Sequence, residues 1–334
     1  MLRLYSFTMF SLFSLSIAFT HAEESSLRKN IWTLVIHGGV LDEDGLSSID
    51  IDDQHAGLKQ ALRAGRDVLR DSGSALDAVQ VAVAEMEDNP CFNAGRGAVM
   101  TLEGTYELDA SIMCGKTRCA GAIAGTKTIS NPINVAREVL RDGKHVLLGG
   151  EGAEKFAEEH GFVPVTQEYF FNEEMFDIIQ ERREKLGLPQ LEHPSLRPSF
   201  GTVGAVALDS QGNFAAATST GGLTAKYTGR IGDSCIIGAG NYAENDIIAV
   251  SSSGVGERFI VNSAASQVAW FIKHMKHSPD ESVKRVIGDV LPKGCGGMIA
   301  VSPQGDPIMH FSTKGMARGF ARDDGQLRTF VIAD

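Results

Sequence analysis

Positive charge is scarce in this chain: 31 Lys and Arg stand against 42 Asp and Glu, a formal charge of −11. No segment clusters its Lys and Arg, so a nucleic-acid surface and a polybasic membrane patch are both excluded. Proline is scarce too, at 10 residues against 37 glycines. Glycine in excess without low complexity points to tight turns and close backbone approaches. The five cysteines, Cys91, Cys114, Cys119, Cys235 and Cys295, are an odd number, so at least one has no partner within the chain. Cys114 and Cys119 are near enough to bridge, but their spacing is not CxxC, and no zinc pattern is present. His274 and His277 sit on a charged helical stretch and read as a solvated face, not a ligand pair. The absence of GxSxG removes a nucleophile elbow. Dinucleotide binding fails as well. Gly95/Gly97 and Gly254/Gly256 lack the third small residue, and Gly238-Ala239-Gly240, with Ala243, runs on into Glu244–Val250, which reads as a strand.

What remains is a chain of 334 residues with 43% apolar and 22% charged composition, ordinary for one large or two small well-cored domains. Arg3 is the one charge before Glu23, and an apolar run from Phe7 to Phe19 leads into Thr20-His21-Ala22. That is the form of a signal peptide over residues 1–22. The run falls short of the roughly 20 residues a membrane-spanning helix needs. A secreted or periplasmic protein, with no membrane contact after cleavage, is expected.

Trp32–Ile36 predicts an opening strand that ends in His37-Gly38-Gly39. Helical spacing links Leu58, Ala61, Leu62, Ala64, Val68 and Leu69. A second helix starts at Ser74, with Asp77 completing a capping box, and buries Leu76, Val79, Val83 and Met86. Strands are expected at Ala98–Thr101 and Ala120–Gly125, and a helix near Asn131-Pro132. Residues 161–200 change character: a charged helix over Glu173–Leu186 precedes Pro189, Pro194 and Pro198, with little to bury, as in a flexible linker. Order returns with Thr202–Leu208, a turn at Ser210–Asn213 and Phe214–Thr218. A similar pattern recurs over Met298–Ser312, after helices at Arg258–Lys273 and Pro279–Val290. Hairpins flanked on both sides by helices predict an α+β layered sandwich, not a doubly wound parallel sheet.

The chemically informative stretch is Gly201-Thr202-Val203-Gly204. A threonine hydroxyl is a weak nucleophile unless a base adjoins it. A threonine made N-terminal by cleavage of the preceding bond has its own α-amine, of ordinary pKa near 8, as that base. Gly201 would let the chain bend for the Thr202 hydroxyl to attack the preceding carbonyl. The competing reading is a strand that begins with a β-branched residue.

Downstream come Thr218-Ser219-Thr220-Gly221-Gly222, Gly229-Arg230-Ile231-Gly232-Asp233-Ser234 and Ser251-Ser252-Ser253-Gly254-Val255-Gly256-Glu257. With Gly201–Gly204 and Asn89–Gly95, these five segments, in this order, resemble the isoaspartyl peptidase/L-asparaginase family, the plant-type asparaginases. The likeness runs from Trp32 to Gly315. It implies an αββα sandwich and self-cleavage at Gly201-Thr202 into residues 23–201 and 202–334, one composite catalytic domain, with two cleaved protomers forming a dimer. By the same resemblance Thr202 is the nucleophile and Thr220 assists it. Ser253 and the Gly254 N–H form the oxyanion hole, and Asn93 positions water or substrate. Arg230 and Asp233, with Gly256 beside them, grip the α-carboxylate and α-ammonium of L-asparagine or a β-aspartyl peptide. A plain turn salt bridge is the alternative for that Arg–Asp pair, and a hairpin-end threonine for Thr220.

No organic cofactor is implied. A structural Na⁺ is, held by main-chain carbonyls of Met86, Glu87, Phe92, Ala94 and Arg96. The family has threonine where this chain has Ser253 and Val255. Glycosylasparaginase shares the fold and the self-cleavage, but it carries Asp before the nucleophile. A processed amino-acid-binding scaffold without activity is the reading from another class.

Overall fold

The expected opening strand is longer than its apolar run, spanning Thr33–Leu41 (β1), in a computed structural model that describes residues 31–42, 49–171, 173–191 and 201–332. Side chains alternate across it. Leu34 and Ile36 join one buried cluster and Val35 another, as a strand covered on both faces requires. β1 lies between β11 (Gly315–Arg322) and β5 (Val203–Leu208) in an eight-stranded sheet, whose next strands are β6 (Phe214–Thr220), β2 (Leu108–Cys114), β3 (Ala120–Thr126) and β4 (Leu147–Gly149). Among the described strand pairs of this sheet, β3–β4 alone is parallel. A second sheet orders β10 (Pro307–Phe311), β9 (Gly296–Val301), β8 (Ile248–Gly254) and β7 (Asn241–Glu244).

Helices α1 (Ile51–Arg70), α2 (Ala75–Glu87) and α3 (Pro132–Asp142) cover the outer face of the large sheet. The later helices Ala264–Met275 and Pro279–Arg285 cover that of the small sheet. The result is the expected αββα sandwich, with one apolar layer under the first three helices and another between the sheets. Ser74 caps α2 as its sequence implies, accepting from the Asp77 N–H at 3.1 Å. Val79, Val83 and Met86 are buried there, while Leu76 is only half-buried.

Several sequence expectations need correction. Ala98–Thr101 is no strand. It forms single bridges from Met100 to Tyr106 and from Thr101 to Lys226, because its apolar side chains pack on a helical segment instead of a neighbouring strand. That segment lies in the supposed linker, which buries more than its charge suggests. Phe170, Phe176 and Ile179 are buried with Ala98, Val99 and Met100, and the Arg183 guanidinium donates to the Leu102 carbonyl at 2.6 Å. Pro194 and Pro198 lie outside the described residues, as does the candidate signal peptide. Glu244–Val250 is not one continuous strand: Glu244 ends β7, a turn with Asp246 at φ 63° follows, and Ile248–Val250 open β8. The helix expected from Arg258 breaks at Ser263, φ 48°, into Gly256–Asn262 and Ala264–Met275. Cys114 and Cys119 flank the β2–β3 turn without bridging.

Candidate active site

Hairpin geometry brings the threonines together. β5 and β6 pair with Val203 opposite Ser219, so Thr202, just before β5, meets Thr220 at the end of β6. Their hydroxyl oxygens are 3.1 Å apart. The Gly222 N–H donates to the Thr220 oxygen at 2.9 Å and fixes it.

The backbone before Thr202 is confined by glycines. Gly39 (φ 106°) and Gly201 (φ 90°) cross in left-handed conformations, and a Cβ on either would collide with the other's backbone. Only glycine meets both demands at once. The Gly201 carbonyl accepts from the Asn93 N–H at 3.1 Å.

Behind Thr202 runs a polar chain that the sequence did not announce, for His37 reads there only as the end of the opening strand. His37 Nδ1 lies 2.9 Å from the Thr202 carbonyl, Nε2 lies 2.9 Å from Ser251 Oγ, and Ser251 Oγ lies 2.7 Å from Thr218 Oγ1. A carbonyl only accepts, so Nδ1 carries the proton and Nε2 accepts from Ser251, which in turn accepts from Thr218. Burial pushes the imidazole pKa down to about 3, so the ring is neutral. Gly204 makes room for this chain, because a Cβ there would overlap the His37 ring and Ser251 Oγ. Period-two alternation from Val35 was the one sequence signal that placed His37 inside.

Ser253 and Gly254 end β8 on the other side of a cleft of about 480 Å³, lined also by Thr202, Asn93, Val40, Leu223 and Val255. The Val40 N–H donates to Ser253 Oγ at 3.1 Å, which fixes the oxygen and leaves its proton to donate. Asn93 does not offer a free side chain. Its amide donates to the Gly222 carbonyl at 2.8 Å and accepts from the Val99 N–H at 2.9 Å, so it clamps two loops.

Arg230 and Asp233 sit on the irregular loop between β6 and β7. Two carboxylates next to each other on the β2 edge pin it. Glu107 accepts from the Gly229 N–H at 2.7 Å and Asp109 from the Gly232 N–H at 3.2 Å. Buried Lys226 donates to the Glu107 carbonyl at 2.8 Å. Burial raises the Asp109 pKa and lowers that of Lys226.

Arg230 and Asp233 do not form the turn salt bridge that was the alternative reading: the Arg230 guanidinium forks onto Glu257 instead, at 2.8 and 2.9 Å. Asp233 Oδ2 is buried without a hydrogen-bond partner, and burial pushes that carboxyl up to about 7. The two side chains face each other across Gly256, where a Cβ would meet Asp233 Oδ1 at 2.7 Å and Arg230 Nη2 at 2.9 Å. An orphaned carboxylate oxygen beside a guanidinium suits a zwitterion.

The carbonyl loop after α2 also closes on itself. A Cβ on Gly95 would collide with the Glu87 carbonyl, and one on Gly97 with that of Phe92. The Phe92 and Ala94 carbonyls each accept a backbone bond, from Ala94 at 2.9 Å and Gly97 at 3.2 Å, and that of Met86 accepts from Asp88 and, at 3.3 Å, from Asn89, which leaves the Phe92 and Ala94 oxygens a second lone pair. Arg96 turns outward, its guanidinium 5.9 Å from the Tyr169 ring centroid, so its charge does not fill the loop. The residues present therefore fit a cation held by main-chain oxygen.

An αββα sandwich with a threonine opening a central strand at the cleft defines the N-terminal nucleophile hydrolase class. Within that class the chain belongs to the asparaginase family, whose model matches residues 30–331. It is 43% identical over 274 residues to the isoaspartyl peptidase of Escherichia coli strain K12, which covers 80% of this chain and 85% of that protein. The isoaspartyl peptidase/L-asparaginase of Homo sapiens is 39% identical over 306 residues, 90% of this chain and 96% of that one. That of Xenopus laevis is 39% identical over 298 residues, 87% and 92%.

Proposed function

We propose that the chain cuts itself before Thr202 and then hydrolyses β-aspartyl amide bonds, in L-asparagine and in β-aspartyl peptides. The observation that carries this is the junction itself: a scissile carbonyl held by the Asn93 N–H, preceding a threonine whose hydroxyl touches Thr220. In processing, the Thr202 oxygen bonds to the Gly201 carbonyl carbon and the Gly201–Thr202 C–N bond breaks. The hydroxyl proton passes to the leaving nitrogen, which becomes the α-amine. Water then hydrolyses the ester. In turnover that amine takes the hydroxyl proton as Thr202 attacks the substrate's side-chain carbonyl. Ser253 and the Gly254 N–H stabilise the oxyanion, ammonia or the amino acid leaves, and water frees the enzyme. Arg230 and Asp233 take the α-carboxylate and α-ammonium, so the side-chain amide is the bond presented.

The test is processing. Purified protein should run as two chains meeting at Gly201/Thr202, and Thr202→Ala as one chain without amidase activity. Normal cleavage in Thr202→Ala sinks the mechanism.

Three further parts belong to this reading. The Met86–Gly97 segment holds a structural Na⁺ through its carbonyls, so Na⁺ should raise Tm where an equal concentration of choline does not. Export rests on the Arg3–Ala22 pattern, and the mature chain should start at Glu23 on N-terminal sequencing. Among the described residues no helix is long and apolar enough to cross a membrane. Two cleaved protomers pair, and sedimentation should give the mass of a dimer.

A further inference from the structure

Glu257 is a charged side chain at the head-group loop that the chemistry above leaves without a task. Both its oxygens are engaged: Oε1 accepts from Arg230 Nε at 2.8 Å and Oε2 from Nη2 at 2.9 Å. Arg230 is 15% exposed and Glu257 52%, so the contact closes one flank of a nearly buried guanidinium from the solvent side. The hydrogen bonds to Arg230 hold the Glu257 carboxyl below the usual carboxylate range.

A guanidinium offers two parallel forks: a side edge of Nε and Nη2, and an end edge of Nη1 and Nη2. Glu257 takes the side edge. The end edge is bordered by glycines. A Cβ on Gly232 would meet Nη1 at 2.8 Å, and one on Gly256 would meet Nη2 at 2.9 Å and Asp233 Oδ1 at 2.7 Å. The occupied edge and the open edge therefore differ in kind. One is closed by a carboxylate from the protein, and the other faces glycine backbone with Asp233 alongside.

We infer that Glu257 is a positioning residue: it locks Arg230 by the side edge so that the end edge faces the α-carboxylate of the substrate. This rests on the head-group reading of Arg230 and Asp233. Arginine has several rotatable bonds and surrenders much rotamer freedom on binding. A partner that has already taken up that freedom leaves the substrate less ordering to bring about. The opposite role, a carboxylate that competes with substrate for Arg230, predicts the opposite sign.

The experiment uses processed enzyme and two amides: L-asparagine, and 3-aminopropanamide, which is the same molecule without the α-carboxylate. For Glu257→Ala we expect KM for L-asparagine to rise by roughly tenfold with kcat within about threefold, the pattern of lost binding pre-organisation. Glu257→Gln keeps an acceptor for one N–H and should fall between. On 3-aminopropanamide the parent and both variants should share one kcat/KM, and processing should be unchanged. Equal losses on both amides make Glu257 merely structural and overturn the inference, and so does a lowered KM for L-asparagine. Arg230→Ala, run beside them, separates the two levels. If it keeps the parental KM the head-group reading falls and the inference with it. If its KM rises while that of Glu257→Ala does not, the positioning role alone falls.

Discussion

The strand end at the Thr202 cleft, whose lining does not include Arg230 or Asp233, and the loop end around Arg230 are built by opposite means. Around Thr202 the polar groups are neutral and strand-borne. Thr220, Ser251, Ser253 and His37 all sit on sheet positions, and each finds a partner fixed by register. Around Arg230 they are charged and come from several elements: loop residues Asp233 and Lys226, Asp109 of β2 and Glu257 of the helix Gly256–Asn262 converge on one irregular segment. Neutral groups can be buried at little cost once hydrogen-bonded, whereas buried charges need compensation. The strand end is complete in itself. The loop end is not, since Asp233 keeps an orphaned oxygen and a carboxyl pushed up to about 7. On the proposed reading, the nucleophile is therefore pre-set and the Arg230–Asp233 site waits for its ligand's charge.

The largest effect expected, after loss of the nucleophile itself, comes from the charged end. Arg230→Lys retains the charge but loses the fork, and kcat/KM on L-asparagine should drop by about 2–4 kcal/mol with processing intact. Unchanged kinetics would reduce Arg230 to a partner of Glu257 alone and erase the contrast between the ends.

At the strand end, Ser253→Ala should cost about 3 kcal/mol, the size of one lost oxyanion donor. Its signature differs from that of Arg230→Lys: kcat should fall while KM holds, because the hydroxyl acts on charge that develops only in the transition state. An alanine variant as fast as the parent would make Ser253 only the anchor of the Val40 N–H.

A pH series separates the ends without mutation. Asp233 must be ionised to hold an ammonium, and in the free protein its pKa is raised to about 7. As pH falls through that value the carboxylate protonates, and kcat/KM for L-asparagine should fall with it. The Thr202 amine, with an ordinary pKa near 8, must be neutral to act as a base and adds a second limb in the same direction. The acid slope should therefore approach about 2 for L-asparagine but about 1 for succinamic acid, which has no ammonium. Equal slopes would show that Asp233 does not titrate against the substrate.

The smallest effect concerns the methyl missing at Ser253. Threonine is stiffer at χ1, and a free serine would gain from that stiffness. Here the Val40 N–H already fixes the oxygen, so Ser253→Thr should change kcat by less than about twofold, below the 0.5–1 kcal/mol expected for ordering a free rotamer. A larger gain would mean that the Val40 bond does not orient the hydroxyl during turnover.

By itself the sequence determined the parts that follow from local periodicity and short-range pairing. The apolar, β-favouring run Trp32–Ile36, the cap at Ser74 and the β5–turn–β6 pattern are local properties. The hairpin among them sets Thr202 against Thr220 whatever the rest of the fold does. The glycine- and hydroxyl-rich segments, in their order, carried the resemblance to the plant-type asparaginases, and it was that resemblance which marked Arg230, Asp233, Ser253 and Gly254. Contacts made across the sheets had no such signal. His37 to Ser251 spans 214 residues and Arg230 to Glu257 spans 27. A buried serine reads in sequence like any strand serine, and a glutamate in a first helical turn like any surface charge. The burial of Phe170, Phe176 and Ile179 was hidden for the same reason: a few apolar residues in a charged helix show their purpose only beside the surface they cover. The sequence carries what depends on neighbours along the chain. Which edge of Arg230 is closed, and which proton His37 keeps, was decided only when distant strands and loops packed together, because those states depend on desolvation and on partners from other elements.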